Sequence, residues 1–117
     1  MLDMAVAMFP IWTLALRMHE EIHGGPDEAM RAEGFRQGEA VFGRLLVAAA
    51  PAMTRPHAER LARDVLASLA GSAVTALDED VMNVQQDRMR QVLRTGLVPH
   101  HVDADHFDSV MRAPAGP

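Results

Sequence analysis

Hydrophobic residues recur at three- and four-residue intervals along most of the chain. Nowhere do they alternate with polar residues over a run rich in β-branched side chains. That pattern predicts helices and no sheet. An uncharged stretch over residues 4–16 predicts a first helix over about 2–22, buried in the core. Pro10 lies inside it and predicts a kink or break near Met8 and Phe9, because proline lacks the backbone donor and crowds the preceding turn. Gly24, Gly25 and Pro26 predict the stop of this helix and the opening of the next. The region 26–50 contains Gly34, Gly38 and Gly43, each costing about 1 kcal/mol relative to Ala in a helix. Three such residues imply either a break or a face where another helix comes close. The break is the preferred expectation, giving a short helix over about 26–33 and a longer one over about 35–50. Phe35, Phe42, Leu45, Leu46 and Ala49 form the apolar stripe of the second piece.

Thr54 and Pro56 predict a capped start for a third long helix over about 55–77. Its stripe is Leu61, Val65, Leu69, Ala73 and Leu77, widened by Leu66, Ala70 and Val74. The acidic run Asp78-Glu79-Asp80 suits the N-terminus of a fourth helix over about 80–97. There Val81, Met82, Met89, Val92, Leu93 and Leu97 are expected inside, with Gln85, Gln86, Arg88, Arg90 and Arg94 as a polar face. The expected fold class is all-α: a single-domain bundle of four to five helices over residues 1–98. A partly disordered tail is expected over 99–117, with a short turn near 105–111.

Composition narrows the function classes. At 117 residues the chain is one domain's worth. Eleven basic residues, all Arg, stand against sixteen acidic ones, a net charge of −5, which argues against direct nucleic-acid binding. The absence of Cys excludes disulfides, zinc ribbons and thiol catalysis. The uncharged run is too short to span a membrane and lacks the basic flank and cleavage site of an export signal. A cytoplasmic protein is expected.

One motif points to metal chemistry. His19-Glu20-Glu21-Ile22-His23 matches the H-E-x-x-H zinc signature, in which two histidines four apart on a helix ligate the metal and the glutamate acts as base. Arg17 and Glu21 occupy positions that such helices keep apolar, and Gly24 and Gly25 end the helix immediately. Pro26 and Ala29 stand where an extended signature requires Gly and His. No metal or other cofactor is therefore expected, and no catalytic residue. A second cluster, His100, His101, Asp103, Asp105 and His106, has the donor types for a divalent ion but falls in the expected tail. Nine Met residues and the aromatic side chains of the first helix suit an adaptable apolar pocket.

His57-Ala-Glu-Arg-Leu-Ala-Arg-Asp-Val-Leu-Ala-Ser-Leu-Ala-Gly-Ser-Ala-Val-Thr-Ala-Leu, an acidic linker, and Met89-Arg-Gln-Val-Leu-Arg-Thr-Gly-Leu together resemble the last two long helices of a tetracycline-repressor (TetR) family C-terminal domain. The segment from Leu14 through His19 and His23 to Glu28 resembles the family's helix and turn upstream of them. The resemblance covers about residues 5–98. It implies a small apolar effector bound by Met8, Trp12, Phe35 and Phe42. It also implies a homodimer whose seam is Leu66, Leu69, Ala73, Val92 and Leu93. The family's N-terminal helix-turn-helix has no counterpart here, so DNA binding does not carry over. A fragment, a misplaced start or a headless relative would each account for that. The alternatives are a minimal zinc hydrolase built on His19, Glu20 and His23, and a small helical interaction protein without a ligand.

Overall fold

A computed structural model describes residues 1–69, 79–98 and 100–114. The described residues are all-helical. The long helices are α1 (Leu2–Ile22), α2 (Glu28–Ala49), α3 (Arg55–Ala67) and α4 (Glu79–Leu97). A 3₁₀ turn, Ala104–His106, leads into the short α5 (Phe107–Arg112). α2 packs most extensively on α3, α3 on α4, and α1 on α2, α4 and α5.

Local chemistry sets the boundaries. α1 runs unbroken through Pro10, whose ring is buried. It ends where Gly24 takes φ 84°, a left-handed conformation that Gly adopts without steric cost. The Gly25 N–H then reaches back to the Glu20 carbonyl at 2.9 Å, closing the last turn. Asp27 caps α2 by accepting from the Met30 N–H at 3.0 Å, so the helix begins one residue after Asp27 rather than at Pro26. Thr54 caps α3 as expected, accepting from the His57 N–H.

The expected break at Gly34 does not occur: α2 is one continuous helix of 22 residues. Its glycines serve the other role, close approach of a neighbour. A methyl group at Gly34 would overlap the Trp12 ring of α1. One at Gly38 would stand 2.5 Å from Phe9 Cε2. The tertiary contact therefore outweighs the intrinsic helix penalty of glycine.

The core gathers Leu2, Val6, Phe42, Leu46, Val65, Leu66, Met89, Leu93 and Leu97. Phe107 and Met111 belong to the same core. The described residues 100–114 are thus packed on the core rather than a loose tail. The His101 N–H donates to the Leu97 carbonyl at 2.7 Å, and the Arg94 guanidinium lies over the Phe107 ring at 5.4 Å. Two apolar anchors, one turn apart on a short helix, supply the burial that offsets ordering this segment.

α4 departs from expectation at one position. Gln85, placed on the polar face by residue type, is buried at 4% exposure, with its carboxamide oxygen unpaired. It sits three residues after Met82 and four before Met89, on the inward face of the helix. No helix among the described residues is long and apolar enough to cross a membrane.

Candidate functional site

Four of the five aromatic residues converge where α1 crosses α2. Phe9 lies 5.1 Å from Trp12, 5.8 Å from Phe35 and 6.2 Å from Phe42 between ring centroids. Trp12 meets Phe35 at 5.8 Å, nearly perpendicular. Edge-to-face contacts of this kind add about 0.5–1.5 kcal/mol beyond burial. Beside the cluster an open groove of about 270 Å³ runs between the two helices. Met8, Phe9, Trp12, Gly34, Gly38 and Phe42 are among its lining residues, together with Ala5, Gln37 and Val41.

Three of the four residues expected to hold a ligand, Met8, Trp12 and Phe42, line this groove. Phe35 stands behind them, against Phe9 and Trp12. The sequence reading missed Phe9, which is central to the cluster, and Val41. It noticed Gly34 and Gly38 without assigning them here. Their i,i+4 spacing is the signal that could have found the site: two glycines on one helical face admit two large side chains from a neighbour.

The H-E-x-x-H segment is differently employed. Glu20 is buried at 8% exposure. Its carboxylate accepts from the Asp27 backbone N–H at 2.8 Å and from the Arg31 guanidinium at 2.5 Å. The backbone hydrogen bond foremost, and then Arg31, hold the carboxyl below its usual pKa despite burial. Glu20 therefore ties the end of α1 to the start of α2 and is engaged in that clamp. The His19 and His23 rings lie 4.3 Å apart between centroids, tilted by 45°, and His19 Nε2 lies 3.9 Å from Asp27 Oδ2. These residues border an open hollow of about 530 Å³ with Pro26 and Glu28.

The second donor cluster disperses. His106 Nδ1 lies 3.7 Å from Asp103 Oδ2 at the surface. His101 turns instead to His57 at the start of α3, with Nε2 3.1 Å from Nδ1. Desolvation, then the neighbouring His57 and His100, lower the His101 pKa. Among the described residues no group of three His or carboxylate side chains is placed to hold a metal ion.

The expected dimer seam lies mostly inside the chain. Leu66, Leu69 and Leu93 are 1%, 6% and 0% exposed within its own core, and Val92 packs half-buried against that core. Ala73 lies outside the described residues. The stripe read as a seam belongs to the core that α2, α3 and α4 share, because an inward helical face looks the same in sequence whichever chain covers it.

Comparison with protein-family models, with curated proteins and with solved structures finds no match.

Proposed function

We propose that this chain is a ligand-binding helical module that takes a small apolar molecule in the α1–α2 groove. This is the sensor role implied by the TetR resemblance, without a DNA-binding part in the reading. The observation that carries it is the groove itself, walled by Met8, Phe9, Trp12, Val41 and Phe42. A concave, mainly apolar cleft with few polar groups is the usual form of a small-molecule site. Its volume of about 270 Å³ suits a molecule of one or two rings, since a cavity of about 150 Å³ already admits benzene. Gln37 is the polar side chain on the lining that can orient such a ligand. Methionine in the wall adapts to ligands of differing outline. No acid–base or metal-centred chemistry belongs to this reading, because Glu20 is held in the turn clamp.

Toluene titrated into the ¹⁵N-labelled protein tests the proposal. Amide shifts should concentrate at Ala5, Met8, Phe9, Gly34, Gly38 and Val41, together with the Trp12 indole signal. Val41→Trp should abolish the shifts while leaving the fold intact, because Val41 lines the groove and is 40% exposed. Shifts absent at saturating toluene, or centred elsewhere, would rule the site out.

A further inference from the structure

α1 has a second apolar face. Met4, Met8, Ile11, Ala15, Met18 and Ile22 follow a four-three-four-three-four spacing, and all six are exposed. Exposure reaches 60% at Met4, 57% at Met8, 41% at Ile11, 54% at Met18 and 77% at Ile22. At about 100° per residue these positions fall within one stripe, opposite the face that Leu2, Val6 and Leu16 bury. The spacing is that of the a and d positions of a two-stranded coiled coil, with Met8, Ala15 and Ile22 at a and Met4, Ile11 and Met18 at d. The surface so exposed is on the order of 500 Å² on one chain, near the upper end of what a monomer usually leaves uncovered.

We propose that this stripe is the interface with a second copy of the chain, paired antiparallel through α1. The spacing reads the same from either end, so a two-fold axis near residue 13 brings six layers into register. Met4 then faces Ile22 of the other copy, Met8 faces Met18, and Ile11 faces Ala15. Each layer joins an a residue to a d residue, as antiparallel knobs-into-holes packing requires. A parallel pair would set Ala15 against Ala15 and leave a gap in the seam, whereas Ile11 fills that gap in the antiparallel pair. Antiparallel helices also oppose their dipoles favourably. No charged residue interrupts the contact between Met4 and Leu16. The pair covers about 1,000 Å² in total, the threshold for a specific interface, so association in the micromolar range is expected. This surface adjoins the ligand groove at Met8 but does not depend on a ligand.

Sedimentation and light scattering of the full chain up to about 200 µM, where a micromolar dimer is largely formed, should give twice the 12.8 kDa chain mass. Ile11→Glu places a charge in the seam and should return the monomer with its helical circular dichroism unchanged, since Ile11 contributes little to the core. Register is tested by cross-linking, which the Cys-free chain permits. A mixture of Met8→Cys and Met18→Cys proteins should form a disulfide-linked pair. Either variant alone should not, because its two copies of the cysteine lie about 15 Å apart along the helix axis. A monomeric wild-type chain at the highest concentration overturns the proposal. So does a dimer that survives Ile11→Glu, or a Met8→Cys protein that cross-links with itself. Monomeric chain that binds phosphatidylglycerol vesicles through this face would assign the stripe to a lipid surface and equally overturn it.

Discussion

Replacing Gly34 with Ala tests the α1–α2 contact, and Gly43 supplies the matched control. Both residues lie within α2, and both substitutions gain about 1 kcal/mol of helix propensity. They differ in what the new methyl meets. At Gly43 nothing lies within 4 Å, whereas at Gly34 the methyl overlaps the Trp12 ring. Phe9 and Phe35 stand against Trp12, so it can yield only toward the open groove, at the expense of those ring contacts. Forcing a carbon into such a contact costs about 1–3 kcal/mol. Gly43→Ala should therefore stabilise the protein by about 1 kcal/mol, and Gly34→Ala should leave it unchanged or destabilise it by up to about 2 kcal/mol. The difference between the variants isolates the packing cost, because the propensity gain cancels. Urea unfolding followed by circular dichroism at 222 nm reads that difference as a shift in midpoint. Trp12 is the only tryptophan, so its emission should move in Gly34→Ala and stay in place in Gly43→Ala. Equal stabilisation by both substitutions, with unchanged emission, would mean that Trp12 does not rest on Gly34 and that the groove floor is wrongly drawn.

Met111→Ala should cost about 2–5 kcal/mol in urea unfolding, the loss typical of a buried methionine, although the residue lies near the C-terminal end; a loss under 0.5 kcal/mol would mean that α5 is not anchored in the core. Gln85→Met should raise stability by about 1 kcal/mol, because the buried carboxamide oxygen loses its unpaired state and the volume is nearly kept; lower stability would show that Gln85 has a partner in solution. Acidification should weaken the fold in two steps. His101 has a folded pKa below its unfolded value, so the stability it contributes is complete above the unfolded pKa of about 6.5 and is lost as pH falls through the folded value. His101→Asn should remove that first step from thermal melts taken between about pH 8 and pH 5. Glu20 likewise favours folding above the unfolded carboxylate pKa and loses this as pH falls through its lowered folded value; Glu20→Gln should lower the melting temperature at neutral pH and flatten the acid limb, and a melt unchanged at every pH would remove the clamp.

The elements were legible because local signals carry them. Thr54, Gly24 and the acidic first turn of α4 fixed helix ends through backbone hydrogen bonds and dipoles that act within one or two turns. What sequence left open was which faces meet. Gly34 reads as a breaker by propensity and as a docking notch by contact, and only the arrival of Trp12 decides between them. Leu66 and Leu93 read equally as seam or as core until α3 and α4 are packed together in one cluster. Gln85 was misplaced because its residue type was weighed above its position, although the spacing Met82, Gln85, Met89, Leu93, Leu97 runs along one helical face. The approach of His57 to His101, 44 residues apart, left no local trace. The groove-lining residues Met8, Trp12 and Phe42 were more legible, because aromatic and thioether side chains, unlike small aliphatic ones, mark a wall wherever they gather.

α1 shows why an apolar helix need not be an interior one. Its uncharged run reads as a buried helix because it is hydrophobic on every side. Burying every side requires neighbours on every side, and the domain measures 46 × 28 × 25 Å. A helix with its side chains is about 10–12 Å across, so the two short dimensions hold two layers. In two layers every helix keeps an outer face. α2 and α4 meet that condition mostly with Arg, Glu and Gln, with Met30, Val41, Val47 and Val84 as scattered exceptions, whereas α1 meets it with Met4, Met8, Ile11, Met18 and Ile22 in one stripe. Polar residues there would leave α1's buried contacts intact, so intrachain packing does not account for the methionines and isoleucines. Six exposed apolar positions in register along one helix, beside a groove that the same helix helps to wall, are the observation that both the proposed ligand site and the proposed pairing of two copies must explain.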